Sequence, residues 1–387
     1  MEPLGDFEIL ADGEERERER PEPRAIVPAS FEWLAPSELN NRSFLLGRHA
    51  ARGFVSGTVA PGGVGKTALV LAECLGLATG VDIFKTGAVR QANVWYLGLE
   101  DSFDEYRRRV AASVLLHNLD PARIEAAFFL NVGHGNNFVM TERTSSGTEI
   151  CRPMVDAIVR SAKERNISLI VVDPFVASHR AAESDNMTIA ILIRAWTQIA
   201  SRTGAAIELV HHTRKQTGDE PGAGDARGAS ALVNALRSVR MLVPMTDAEA
   251  ARLDLDSDPA RYFRVVPVKV NLSQRTGDEE WREFVSVPLG NGGDEVGAVR
   301  LWKPPPFASD EQLEQIREEL SRGLYRADVR AETWAGKPIA KVLGLDVRNV
   351  RDRRRVNRAI LQWVEEGVLR VRNGTDEKRN VRQYVQG

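Results

Sequence analysis

Ala60-Pro61-Gly62-Gly63-Val64-Gly65-Lys66-Thr67 is the stretch that decides the fold class of this 387-residue chain. It stands between an apolar run, Phe54 to Val59, and a helical pattern that continues through Ala68 to Leu75. A strand, a glycine-rich turn and a helix N-terminus together present backbone N–H groups to a polyphosphate. Gly62, Gly63 and Gly65 let the backbone curl so that those groups point inward, and Val64 and Ala68 belong to the same cradle. Lys66 is placed to reach the β- and γ-phosphates, and the Thr67 hydroxyl to ligate Mg²⁺. Ala60 occupies the place of the first glycine in the strict pattern, a departure that a small residue tolerates. The ligands this stretch implies are a nucleoside triphosphate and Mg²⁺.

Composition sets the frame around that motif. The length suits two or three domains, and 43% hydrophobic residues support ordinary buried cores. No apolar run approaches the roughly eighteen residues of a membrane span, and the N-terminus lacks the cationic flank and apolar core of a secretory signal. Cys74 and Cys151 lie far apart without a metal-ligand spacing. Cys74 falls on the apolar face of the helix after the glycine turn, as a packing residue would. A reducing, cytoplasmic setting is expected. Net charge is −2, but its distribution is uneven. Residues 1–30 carry nine acidic and four basic side chains, whereas 331–387 carry thirteen Lys/Arg against seven Asp/Glu.

Four regions follow from the pattern. Residues 1–30 alternate charge with prolines and read as disordered. From 31 to 303 strand and helix patterns alternate, which implies an α/β fold with a mostly parallel sheet covered by helices on both faces. Expected strands include Ala92 to Leu99, Phe128 to Val132, Ile167 to Asp173 and Ala205 to Val210. Expected helices include Phe103 to about Leu116, Glu149 to Arg165, Ile189 to Thr203 and Ala229 to Arg240. After Thr246 the blocks Tyr262 to Leu272 and Glu283 to Val287 read as antiparallel strands that extend the sheet edge. Residues 304–308, with their proline run, form a linker. Residues 309–387 read as three helices and two short strands joined by a turn at Asn373 to Asp376.

Several polar residues end core strands, where ligands of such sheets sit. Asp173 closes an apolar strand and is placed to hold the Mg²⁺ hydration shell. Glu100 closes another and can polarise a water that attacks the γ-phosphate, while Asp101 or Ser102 caps the next helix. His211 and His212 point to opposite faces of one strand, so they do not share a metal ion. One of them instead suits a hydrogen bond near the γ-phosphate. The loop from Thr213 to Asp225 carries Arg214 and Lys215 among glycines, a composition that suits contact with a nucleic-acid backbone.

Taken in order, Ala60 to Thr67, Tyr96 to Asp101, Leu169 to Phe175, Asp185-Asn186, His211 to Lys215, and Ala226 to Leu232 with Arg237 resemble the RepA-type hexameric helicase ATPases. These are RecA-like motors of plasmids, phages and integrative elements. The resemblance covers roughly residues 31–290. It implies ATP as the nucleotide, phosphate and Mg²⁺ binding by Lys66 and Thr67, Glu100 as catalytic carboxylate, and Asp173 as the Mg²⁺-associated carboxylate. It further implies His212 as γ-phosphate sensor and Arg237 as a finger inserted into the neighbouring subunit's site. Arg227 is the competing finger and Lys269 a further residue that reaches across. The implied partners are further copies of the chain in a hexameric ring and single-stranded DNA in its pore, with no membrane. A DNA-binding regulator that assembles with ATP but does not translocate is the alternative. The tail departs from compact members of this family. Ile339 to Leu345 followed by Asn349 to Trp363 resembles a helix–turn–helix, with Gly367 to Val385 as a wing. Arg351, Arg354, Arg355 and Arg358 bring basic charge to the helix that would read nucleic acid, and the expected partner there is duplex DNA or a replication protein.

Overall fold

The computed structural model describes residues 27–87, 89–133, 138–144, 147–180, 186–213, 230–253, 255, 257–273, 280–304, 306–376 and 379–387. The expected disordered head up to residue 26, the loop that carries Arg214, Lys215 and Arg227, and Asp185 lie outside them. Residues 27–41 cluster apart from Arg42–Gly387. The first group contains a 3-10 turn, Pro36–Glu38, whose Glu38 carboxylate accepts from the Ala35 amide at 3.1 Å.

The larger unit begins with two short strands, β1 (Phe44–Leu46) and β2 (Ala50–Ala51), then β3 (Val55–Ala60) and α1 (Lys66–Thr79). There follow β4 (Asn93–Gly98), α2 (Phe103–His117), α3 (Pro121–Ala127), β5 (Phe128–Val132), a hairpin of β6 (Thr141–Thr144) and β7 (Gly147–Ile150), and α4 (Arg152–Glu164). Next come β8 (Ile167–Asp173), α5 (Asn186–Thr203), β9 (Ala206–His212), α6 (Ser230–Ala235), β10 (Ser238–Pro244) and α7 (Asp247–Leu253). Three strands, β11 (Tyr262–Val270), β12 (Glu280–Pro288) and β13 (Glu295–Leu301), complete this part.

Nine of these strands form one sheet in the order β13-β12-β11-β10-β3-β9-β8-β4-β5. The six from β10 to β5 are parallel, and β11, β12 and β13 extend the edge in antiparallel fashion. This large, mostly parallel sheet is consistent with a RecA-like P-loop core. The central strands are buried on both faces, so they read as continuous apolar runs and not as alternations. In β8, Leu169 and Val171 face α1, α2 and α3 with Tyr96, Leu71 and Tyr106. Ile170 and Val172 face α4 and α5 with Ile158, Trp196 and Ile199. Cys74 is buried in the first of these layers, where burial pushes its thiol pKa up.

Two expected boundaries move in this part of the chain. Glu149 pairs within the β6–β7 hairpin, so α4 starts only at Arg152, with Pro153 in its first turn. The helix expected through Arg240 stops at Ala235, and Arg240 is a buried residue of β10. Its charge is tolerated there because Glu73 of α1 holds it in a bidentate ion pair.

The tail comprises α8 (Asp310–Ser321), β14 (Tyr325–Arg326), α9 (Gly336–Leu343), α10 (Val350–Glu365), β15 (Arg370–Thr375) and β16 (Val381–Gln386). Ser309 opens α8 with a reciprocal capping box, its hydroxyl accepting from the Gln312 amide and its own amide donating to the Gln312 side chain. Ile316, Trp334, Ile339, Val356, Trp363 and Val385 form a core separate from those of the large sheet. The turn expected at Asn373 to Asp376 falls later, since Asn373, Gly374 and Thr375 still pair with β16. Among the described residues no helix is long and apolar enough to cross a membrane.

Candidate functional site

The loop from β3 to α1 adopts the geometry that its glycines permit. Gly63 and Gly65 have φ of +82° and +103°, a region that side chains with a Cβ avoid. Gly65 is the N-cap of α1, so the first N–H groups of the helix point into the loop. Lys66 is only 4% exposed, and its Nζ donates to the carbonyls of Ala60 at 2.9 Å and Pro61 at 2.8 Å. Burial lowers its pKa to about 8, although Asp173 and Glu100 oppose that shift. An ammonium held in this way gains most from an arriving anion.

Asp173, at the end of β8, is also buried. Burial raises its pKa, while hydrogen bonds from Tyr96 and Thr67 and the charges of His212 and Lys66 pull the other way. Thr67 and Asp173 therefore stand side by side. A hydroxyl and a carboxylate so placed are the hard oxygen donors that Mg²⁺ takes, and the residues present fit that ion. Among the described residues no group of three or more His, Cys, Asp or Glu could hold a metal ion.

His212 ends β9 and Glu100 lies two residues beyond the end of β4, the two strands that flank β8. The Glu100 side chain is 64% exposed, and its Oε2 lies 3.9 Å from His212 Nε2. The two histidines diverge as strand geometry requires. His211 is buried with its ring 6.2 Å from that of Phe175, while His212 lines the cleft over the loop. Ser102 is the residue that caps α2, accepting from the Glu105 amide. Asp101 instead pairs with Arg109 at 2.8 Å.

The cleft measures about 580 Å³, and sequence reading found only its floor, Gly63 to Ala68, and His212. Its walls come from two elements distant in sequence. Glu105, Arg108 and Arg109 project from α2, and Phe284 with Asp294 to Gly297 belong to the β12–β13 hairpin. Arg108 ties the walls together through Asp294 at 3.0 Å, and His117 does so through the Val299 carbonyl at 3.0 Å. Gly297 leaves the space that the Phe284 ring fills, for a Cβ there would lie 2.1 Å from the ring. Arg108 and Arg109 carried one legible signal, two adjacent cations on the helix that follows Glu100.

Arg237 does not join this site within its own chain. It lies exposed just before β10, whose first residue is in register with Ser56 of β3. At about 3.3 Å per residue it is about 16 Å along the sheet from the level of Ala60. Lys269 is its neighbour, and both burial and the Arg237 charge lower the Lys269 pKa. Lys269 Nζ donates to the Val233 and Asn234 carbonyls. Arg351, Arg354, Arg355 and Arg358 lie on α10, away from the loop.

A family model described as an AAA domain matches residues 17–218, which includes the phosphate loop, Glu100, Asp173 and the histidine pair. The match spans more than half of the chain, and it ends just beyond the strand that delivers His212 to the cleft. With the loop, the Thr67–Asp173 pair and the sheet order in place, the chain belongs to the AAA-domain family of P-loop ATPases.

Proposed function

We propose that this chain is a ring-forming DNA helicase or translocase of the RepA type, a hexamer that acts in the cytoplasm in replication of a phage, plasmid or integrative element. The observation that carries the reading is the meeting of Glu100 and His212, from two strand ends, beside the Lys66, Thr67 and Asp173 cluster. Lys66 and the loop amides hold the β- and γ-phosphates of ATP. Thr67 and Asp173 hold Mg²⁺, which supplies positive charge against the phosphate oxygens when bound. Glu100 orients the attacking water and accepts its proton, and its exposure leaves room for that water. His212 lies between Glu100 and the cleft, where it registers the γ-phosphate and passes its presence to the loop that begins at Thr213.

Arg237 is exposed and remote from its own phosphate loop, which suits the role of a finger reaching a neighbouring subunit's site. A guanidinium supplied in trans is worth about 10³–10⁵ in rate. In the tail, α9 and α10 followed by the β15–β16 hairpin support a winged helix that engages nucleic acid. The same arginine-bearing helix favours a second reading, a DNA-binding regulator that assembles with ATP without moving. Steady-state ATP hydrolysis with and without single-stranded DNA, at concentrations where sizing shows oligomers, separates the two. A motor shows strong stimulation that Arg237→Ala removes, whereas slow turnover indifferent to DNA in a ring-competent sample refutes the motor.

A further inference from the structure

The tail arginines do not stand on an open helix face. Arg351, Arg354, Arg355 and Arg358 recur at helical spacing, so they form one stripe along α10. Val356, Ala359, Ile360 and Trp363 occupy the buried side of the same helix. The stripe is one wall of a cleft of about 790 Å³ whose other wall is α7, the helix that follows β10 of the large sheet. Ala248 and Ala251, exposed and three residues apart on α7, face the cleft and leave it open. Asp247 is the carboxylate on that wall.

We propose that the α7–α10 cleft binds the phosphodiester backbone of a single nucleic-acid strand, so that the tail and the ATPase part share one site. The choice of nucleic acid among polyanions rests on the functional reading above; the charge and shape of the cleft do not. A duplex would have to admit α10 into a major groove about 12 Å wide, and α7 stands across the arginine face that would lead the way in. A single strand needs only a groove that lays cations along its backbone. At 1.5 Å per residue the stripe is about 10 Å long, enough for its arginines to meet more than one phosphate of a strand laid along it. Arg351, Arg355 and Arg358 already make contacts in this structure. Each guanidinium carries five N–H donors, so phosphate oxygens add to or replace those contacts. A strand in this cleft also fastens the tail to the ATPase part, which makes tail position sensitive to DNA.

The test is fluorescence anisotropy of the full chain without nucleotide, titrated with a labelled oligothymidylate and with a duplex of equal length over a range of salt. Three proteins are compared: native, Arg354→Ala/Arg355→Ala, and Ala251→Trp, which narrows the cleft at its α7 wall without altering charge. Circular dichroism and thermal midpoints establish that each is folded. The native chain should prefer the single strand. The arginine variant should lose about tenfold in strand affinity, and its log–log salt slope should fall by about 1.4, at about 0.7 per lost phosphate contact. Ala251→Trp should weaken strand binding to a similar degree and leave duplex binding as it was. Native-like strand binding by Ala251→Trp would overturn the proposal, because the arginines would then act from an open helix. A native preference for duplex that the arginine variant abolishes would overturn it as well. Strand affinity unmoved by either variant, with DNA-stimulated ATP hydrolysis intact, would refute the cleft and leave the nucleotide site standing.

Discussion

Lys66 shows how far one side chain's surroundings set its chemistry. Burial holds its pKa near 8, so in the free protein the ammonium begins to lose its proton just above neutral pH. A bound polyphosphate restores the charge. ATP affinity should therefore fall as pH rises through about 8, and binding near that pH should take up a proton, which calorimetry in buffers of different ionisation enthalpy detects. The same shift affects folding. Between pH 8 and 10.5 the unfolded chain binds more protons at this position, so the Lys66 contribution to stability rises with pH there. Lys66→Ala should abolish ATP binding outright. Glu100→Gln should leave binding nearly intact and lower turnover by about 10²–10⁴, as measured by a single-turnover assay. These residues were legible because each sits at a strand end or inside one contiguous motif. Phe284 was not, since nothing in its neighbourhood of sequence reveals that a hairpin carries it back over Gly65.

That hairpin and the sheet beneath it matter at the scale of elements. Phe284 is 36% exposed in the cleft, an aromatic face set beside the phosphate loop. Phe284→Ala should weaken ATP binding by about tenfold and leave tripolyphosphate binding unchanged, since stacking on a base is worth about 1–3 kcal/mol. Deeper in the sheet, Glu208 is fully buried and accepts from Ser56 and Thr58, and His49 stands 3.0 Å away. Burial alone would raise its pKa, but His49, Arg240 and Ser56 hold it down at about 2. Its stabilising contribution is present above pH 4.5 and is lost as pH falls from there toward 2. Glu208→Gln should flatten that acid limb in denaturant titrations. Glu73→Ala would strand the buried Arg240 guanidinium and should cost about 3–5 kcal/mol. The network explains one misreading. The helix expected through Arg240 stops at Ala235, and the partner that neutralises Arg240 lies on α1, so nothing local marks it as a buried strand residue.

At the scale of the whole molecule, the alternation of apolar strands and amphipathic helices was sufficient to indicate a parallel sheet with an antiparallel extension. β8 was legible to the residue because it is apolar throughout and ends in Asp173. Strand order was not legible, since parallel neighbours such as β3 and β9 are joined only in space. The tail's helices and hairpin could be read from periodicity, but the placement of its arginines against α7 could not, as it depends on packing between distant segments. Ring assembly belongs to this scale too. Arg237 is too far from its own phosphate loop to act there, so in the proposed ring, where it serves a neighbouring site, Arg237→Ala should depress turnover by about 10³ without changing ATP affinity. Mixed with Glu100→Gln subunits, which supply intact fingers, it should recover part of that activity. Motion along DNA is then best decided by displacement of streptavidin from a biotinylated single strand, with the native chain and Glu100→Gln in parallel. A translocating ring strips streptavidin in the presence of ATP, and the Glu100→Gln protein binds the strand but leaves it capped. If the native chain binds the strand and hydrolyses ATP but the cap stays on, the protein is an ATP-dependent DNA binder and not a motor.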